Sequence, residues 1–334
     1  MVEWKDRLIN VLVTGVGAII GQGIIRSLRS CGYDVKIVGI DRSDRSPAVE
    51  WCDIFIPKPA CDEADLQYLK FWCDLIEEHQ INIVLPGLEV DVNYLDRNRF
   101  FIVQGSDCVL ALNSHGLISL AEDKWLMHQY MESHGFPVIP TMVDSGWDAA
   151  VSILGGAPIL LKPRRGSGSR GIMRLYDLED FEYWTRKSRQ PWILQRIVGS
   201  DDEEYTVGVF GFGDGSALDP IILRRRLSSA GSTLEAVVVE NELIRQRVAE
   251  LNFLLKPVGP TNYQFRMEGE TTYLLEVNPR FSSSNSLRTG FGYNESLMSL
   301  DYFLLNKKPQ MPKINKGTAW RYSEDFYVYD RAAV

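Results

Sequence analysis

The sequence predicts an α/β protein that opens with a doubly wound parallel sheet. Three features carry this expectation. Short apolar strands alternate with helical runs through the first third of the chain, and a glycine-rich turn joins the first strand to the first helix. The 45% apolar, 24% charged composition is that of an ordinary globular protein, and 334 residues can hold two or three cores. A net charge of −8 offers no basic field for nucleic acid or an anionic membrane. No apolar stretch approaches the ~18 residues of a membrane span.

The first strand is Asn10–Thr14 (NVLVT), followed by the turn Gly15–Gly23 and a helix through about Cys31. Val35–Ile40 is the second strand, closed by Asp41. Bare N–H groups at such a helix N-terminus suit a phosphate, and an acid farther on suits a ribose. One reading is therefore an NAD-dependent oxidoreductase or sugar-modifying enzyme. Against it, the spacing is GxGxxxG, Asp41 stands farther on than the fingerprint has its acid, and no hydride-transfer constellation follows. Glu63–His79 reads as a helix and Ile81–Leu85 as a strand, after which come Glu89 and Asp91. Ligands of open α/β sheets sit beyond the carboxyl ends of strands, which makes Glu89 a substrate candidate. Asp91 reads as a helix N-terminal acid. Val109–Leu112 closes a first domain, residues 1–112.

The five cysteines (Cys31, Cys52, Cys61, Cys73, Cys108) are odd in number and form no CxxC, which argues for free thiols in a reducing cytoplasm. The opening MVEWKDRLIN has no cationic-then-apolar leader pattern, so a cytoplasmic protein is expected. The four histidines lack zinc-ligand spacing.

Farther on, Ser119–His134 reads as one helix carrying Lys124, and Trp147–Gly155 as another. Pro158–Lys162 (PILLK) is an apolar strand with a lysine at its end. The loop that follows, Pro163 to Ile172, holds Gly166, Ser167, Gly168, Ser169 and Gly171 among three arginines. Polyphosphate requires such a loop: backbone amides that approach closely and cations that offset charge. A flexible hairpin tip is the alternative. The loop is not GxxxxGK[ST] and leads into a strand, which excludes a P-loop NTPase. Strand Trp192–Ile197 carries Gln195, a candidate for an adenine edge, and Glu204 opens strand Tyr205–Phe210 as a ribose candidate. Within Ile221–Leu227, the run Arg224-Arg225-Arg226 is either a clamp for a substrate carboxylate or phosphate, with Arg224 and Arg226 the candidates, or a solvated basic turn.

The most informative stretch is Thr272–Arg280 (TYLLEVNPR). Glu276 and Asn278, two residues apart on a strand, leave the same face. Asn262–Arg266 pairs with it as a hairpin through Glu268-Gly269-Glu270, bringing Gln264 alongside. Pro279 stops the ladder and Arg280 stands at the exit. A carboxylate and two amide oxygens beside a guanidinium suit Mg²⁺ and phosphate; a polar sheet edge is the alternative.

Taken in order, Lys124, Lys162 with its Gly/Ser/Arg loop, Gln195, Glu204, Gln264 and Glu276-x-Asn278-x-Arg280 resemble the ATP-grasp superfamily, and most of all the ATP-binding modules of the carbamoyl-phosphate synthase large subunit. The likeness spans roughly residues 10–305, with Leu274–Gly292 its most specific part. The resemblance implies a pre-ATP-grasp domain (1–112), an ATP-grasp domain of two α+β subdomains (113–310, with a mobile lid at about 120–190), and a C-terminal extension (311–334). It implies ATP and Mg²⁺ as cofactors. Lys124 and Lys162 would contact the phosphates and Gly166 to Gly171 would close over them. Gln195 and the backbone of Arg196, Ile197 and Val198 would read adenine, and Glu204 would hold the ribose. Glu276, Asn278 and Gln264 would bind the metal, with Arg280 on the transferring phosphoryl or acyl phosphate. The activity implied is a carboxylate–amine (or carboxylate–thiol) ligase using small-molecule substrates, with a homodimer as the expected assembly. The chain departs from the synthase in having one module, no glutaminase domain, and SSSN at Ser282–Asn285 where the synthase has an arginine. A non-catalytic nucleotide-binding regulator is the remaining alternative.

Overall fold

The computed structural model describes residues 8–143, 145–166, 171–228 and 231–328. The first five strands are β1 (Ile9–Thr14), β2 (Val35–Asp41), β3 (Ile54–Pro57), β4 (Ile83–Leu85) and β5 (Val109–Leu110). They form one parallel sheet in the order β3-β2-β1-β4-β5. Its two faces explain the continuous apolar runs, since successive residues of a strand point to opposite cores. Leu12 joins Val38, Tyr68 and Trp72 on one face, whereas Val11 and Val13 join Ile24, Ile25 and Ile37 on the other. The second core also takes in Phe281 and Leu300 from far along the chain.

Strands β6 (Thr141–Met142), β7 (Ile159–Pro163), β8 (Met173–Leu175) and β9 (Trp192–Arg196) form an antiparallel sheet in the order β6-β9-β7-β8. Helices Trp147–Leu154 and Leu178–Lys187 accompany it; Ala150 and Leu154 of the first pack with Ile159, Leu161 and Leu194 in its core. The third sheet is antiparallel and built from β10 (Glu204–Phe212), β11 (Ile221–Leu227), β12 (Thr233–Val238), β13 (Val258–Glu268), β14 (Thr271–Asn278) and β15 (Thr318–Trp320). Its order is β14-β13-β10-β11-β12-β15. One face packs Tyr205, Val207, Tyr263 and Phe265 against Ile244, Val248 and Leu251 of helix Glu242–Leu255.

One expectation fails here. The stretch Ser119–His134 is not one helix but two, His115–Ala121 and Lys124–Ser133. Asp123 breaks it by capping the second, accepting hydrogen bonds from the amides of Trp125 and Leu126. Its carboxylate also pairs with Arg164 at 2.7 Å, tying this helix start to the glycine-rich loop. In the tail, β15 forms the edge of the six-stranded sheet, paired with β12 through Ala236↔Ala319.

The N-terminal sheet is docked firmly on the rest. Helix Ile19–Arg29 packs against helix Asn285–Gly290 so closely that a Cβ at Gly23 would lie 1.7 Å from Asn285 Oδ1. Ser27 and Thr289 share a hydroxyl hydrogen bond of 2.7 Å, and Asn294 donates to the Ser27 carbonyl. Beneath, the fully buried Arg288 pairs with Glu295 at 3.0 Å and donates to Thr206 and Asn262. Only a glycine at 208 leaves room, because a Cβ there would sit 2.7 Å from that guanidinium.

Candidate active site

A cleft of about 530 Å³ opens between the four-stranded and six-stranded sheets. Strand alternation decides what faces it. On β7, Ile159 and Leu161 turn to their own core, so Leu160 and Lys162 turn to the cleft. On β9, Leu194 is in the core and Gln195 faces the cleft beside Leu160. The six-stranded sheet contributes Glu204, Arg225, Gln264, Arg266 and Glu276, all on the face opposite helix Glu242–Leu255.

Lys124, Lys162, Gly166, Gln195, Arg196, Ile197, Val198, Glu204, Gln264 and Glu276, dispersed along 150 residues of sequence, thus line one space. Ser167, Gly168 and Ser169 lie outside the described residues. Lys162 Nζ donates to Gln195 Oε1 at 2.6 Å, and Gln195 Nε2 donates to Thr141 Oγ1 at 2.9 Å. Lys124, the first residue of its helix, donates to the Gly166 carbonyl at 2.6 Å. Burial pushes the Lys162 ammonium down to about 8; Glu276 opposes this, and Lys124 and Arg266 add to it.

Glu204 is buried and receives two guanidinium groups. Arg225 donates twice to Oε1 at 3.1 and 2.8 Å, and Arg266 twice to Oε2 at 3.0 and 2.8 Å. Across the described residues, seven side-chain cations (four of them Lys124, Lys162, Arg225 and Arg266) and two carboxylates line the cleft, in a chain whose net charge is −8. Such a local excess of cations suits a polyanion.

Glu276 carries no ion pair among the described residues and takes one hydrogen bond, from Asn278 Nδ2 at 3.2 Å. Gln264 stands opposite it in the ladder. A carboxylate with flanking amide oxygens suits an octahedral Mg²⁺ that completes its shell with phosphate and water. No group of three His, Cys, Asp or Glu side chains among the described residues offers a closed metal cage instead. Past Asn278 the cleft leads to a cavity of about 20 Å³ beside helix Glu89–Arg97. There Arg280 Nη2 donates to both Glu89 and Asn278 Oδ1 at 2.9 Å.

Arg224 and Arg226 are not brought to the cleft. Both are exposed on the opposite face of β11, and Arg226 pairs with Asp202 at 3.0 Å. The residue between them, Arg225, is the one that turns in. Ile222 and Leu223 are both buried, so the apolar pattern does not say which arginine turns in. Arg266 was unread; its signal was parity, since it shares its strand face with Gln264. Asp91 is buried rather than solvated, in an ion pair with Lys58. The N-terminal glycine turn has its own acid: Asp41 Oδ2 accepts the Gly17 N–H at 2.8 Å, and a Cβ at Gly21 would meet the Gly15 carbonyl at 2.2 Å. Close packing accounts for Gly21, and Asp41 holds the turn it faces. All five cysteines are free. Among the described residues no helix is long and apolar enough to cross a membrane.

A family model described as "ATP-grasp in the biosynthetic pathway with Ter operon" matches residues 188–326. The carbamoyl phosphate synthase large chain of Methanosphaerula palustris is 22% identical across 81% of this chain and 28% of its own length. That of Acidobacterium capsulatum is 24% identical across 49% of this chain and 16% of its own length. The chain thus spans less than a third of these relatives. Among solved structures, N5-carboxyaminoimidazole synthetase from Staphylococcus aureus complexed with ADP superposes with a TM-score of 0.71 at 14% identity, covering 92% of this chain and 80% of that one. The biotin carboxylase domain of Hydrogenobacter thermophilus 2-oxoglutarate carboxylase, in complex with MgADP and bicarbonate, gives 0.69 at 17% identity, covering 92% and 73%.

Proposed function

We propose that this chain, which has the ATP-grasp fold, is an ATP- and Mg²⁺-dependent ligase that joins a small-molecule carboxylate to an amine, or to a thiol, through an acyl phosphate. ADP and phosphate are the other products. The observation that carries the reading is the cation-lined cleft beside the unpaired carboxylate of Glu276. Structural neighbours with ADP or MgADP bound share the fold, which supports the nucleotide.

In this reading Lys124 and Lys162 hold the phosphates, and the loop from Gly166 to Gly171 closes over them as part of a lid at about 120–190. The backbone at Arg196–Val198 reads adenine and Glu204 orients the ribose. Glu276 and Asn278, with Gln264 beside them, would hold the divalent ion, which would offset phosphate charge when bound. Arg280 sits where the transferring phosphoryl group meets the carboxylate, and Glu89 steadies it from the N-terminal domain. None of these residues is a covalent nucleophile; catalysis rests on alignment and charge stabilisation in a site closed to water. Cytoplasmic location and a homodimer complete the proposal.

ADP release measured across a panel of carboxylates paired with amines tests it. Turnover with at least one pair is expected, falling by more than 100-fold in Lys162→Ala, Glu276→Gln and Arg280→Ala. Near-normal rates in all three variants would contradict the roles. Thermal stabilisation by MgATP and none by NAD(H) separates the ligase from a dinucleotide enzyme, while binding without ADP release against the whole panel would favour a regulator.

A further inference from the structure

The four-stranded sheet has a second face that the nucleotide does not use. On the side of β7 away from the cleft, Leu161 belongs to a small core, with Met173 and Trp184 packed against it. Helix Leu178–Lys187 adds no fully buried residue to that core. A groove of about 620 Å³ stays open over Leu161, Met173 and Trp184, rimmed by Arg165, Lys187 and Arg189. Among the described residues no carboxylate lines it, and of the three cations only Arg165 meets one, Asp123 at 3.9 Å. An apolar floor under three cations suits a segment that carries apolar side chains and negative charge together.

The chain contains such a segment. Past β15, residues 322–328 (YSEDFYV) set Glu324 and Asp325 among Tyr322, Phe326, Tyr327 and Val328, and all of these are exposed. The segment falls short of the groove on its own chain. Arg321 is pinned beside β12, its N–H on the Leu234 carbonyl and its guanidinium on the Ser283 carbonyl. The groove's Arg165 lies by Asp123, next to helix His115–Ala121, which packs on β14. β14 and β15 are opposite edges of the six-stranded sheet, five strand spacings or about 24 Å apart. Seven extended residues span at most about 25 Å, which is used up before the path turns behind the four-stranded sheet.

We propose that residues 322–328 of one copy dock in the groove over Trp184 of a second copy, so that a reciprocal exchange of acidic, aromatic tails holds the homodimer. This deepens the reading above by giving its homodimer an interface. Pro163, Arg165 and Gly166 line both the groove and the nucleotide cleft, so a docked tail bears on the phosphate-side loop from behind.

Sedimentation velocity on full-length chains tests this. The wild type is expected to be dimeric in the micromolar range. Reversing the tail charge (Glu324→Lys with Asp325→Lys) should give monomers, and so should reversing the rim (Lys187→Glu with Arg189→Glu). An equimolar mixture of the two variants should dimerise again, because each then offers the other a matched tail or groove, a result that misfolding of either could not produce. Raising the salt should weaken the wild-type dimer. A monomeric wild type, variants that stay dimeric, or a mixture that stays monomeric overturns the exchange. Calorimetric titration of the same wild-type sample with MgADP reports on the nucleotide reading separately: no heat would overturn that reading and leave the assembly result standing.

Discussion

Raising the pH should loosen nucleotide binding through one group, Lys162. Burial lowers its ammonium from the ordinary 10.5 to about 8, with Glu276 pulling the other way. In the free protein the side chain is therefore charged at pH 7 and mostly neutral at pH 9. Polyphosphate seated against it favours the charged form, so binding at pH 9 must first take up a proton. A group titrating at about 8 is roughly one-eleventh protonated at pH 9, so affinity should fall roughly tenfold between pH 7 and 9, or about 1.4 kcal/mol. Stability runs the other way. The unfolded lysine holds its proton up to about 10.5 and the folded one only to about 8, so the unfolded state binds more protons between these values, and the free protein gains stability as pH rises through that window. Lys162→Met should accordingly stabilise the free chain at pH 7, by on the order of 1–3 kcal/mol, while weakening nucleotide binding and flattening its pH dependence. Calorimetric titration with MgADP from pH 7 to 9.5, in two buffers of different ionisation heat, reads affinity and proton uptake together. A flat wild-type affinity with no proton uptake at pH 9 would refute a depressed lysine against the phosphates.

Two further predictions concern the scaffold. Arg288→Met leaves Glu295 buried without its partner and strips a donor from Thr206 and Asn262, so urea denaturation should show a loss of about 3–5 kcal/mol; a loss below about 1 kcal/mol would mean the pair is idle. Gly23→Ala places a methyl on Asn285 Oδ1 and forces helix Ile19–Arg29 to back away, at a cost of about 1–3 kcal/mol. A melting temperature unchanged by Gly23→Ala would show that the two helices are not in firm contact.

What could be read from the sequence was whatever local periodicity and order along the chain encode. Continuous apolar runs such as NVLVT and INIVL marked strands buried on both faces, and the two pair in one parallel sheet. The set from Lys124 to Arg280 was legible because each member sits at a strand or helix end with a recognisable neighbour, and ten of its members do meet in one cleft. The break at Asp123 was illegible for a different reason. A cap competes with an apolar pattern that runs straight through it, and the Arg164 that settles the matter lies forty-one residues away. The tail is illegible too, since DFYVY is too generic in composition to assign, and the open edge of β12 is taken by Thr318–Trp320.

The arginine run shows the limit most clearly. Three consecutive arginines on a strand have opposite orientations by alternation, and nothing in their own composition says which one turns inward. The fold sets the parity. Leu223 belongs to the core that contains Phe210 and Tyr293, which puts Arg225 on that face, next to Glu204 on β10. A buried guanidinium there is tolerable only because Glu204, Thr233 and Gln264 receive its hydrogen bonds. One parity choice thus decides which arginine faces the cleft, so a register shift of one residue in β11 would exchange Arg225 for its solvated neighbours and leave Glu204 with Arg266 alone.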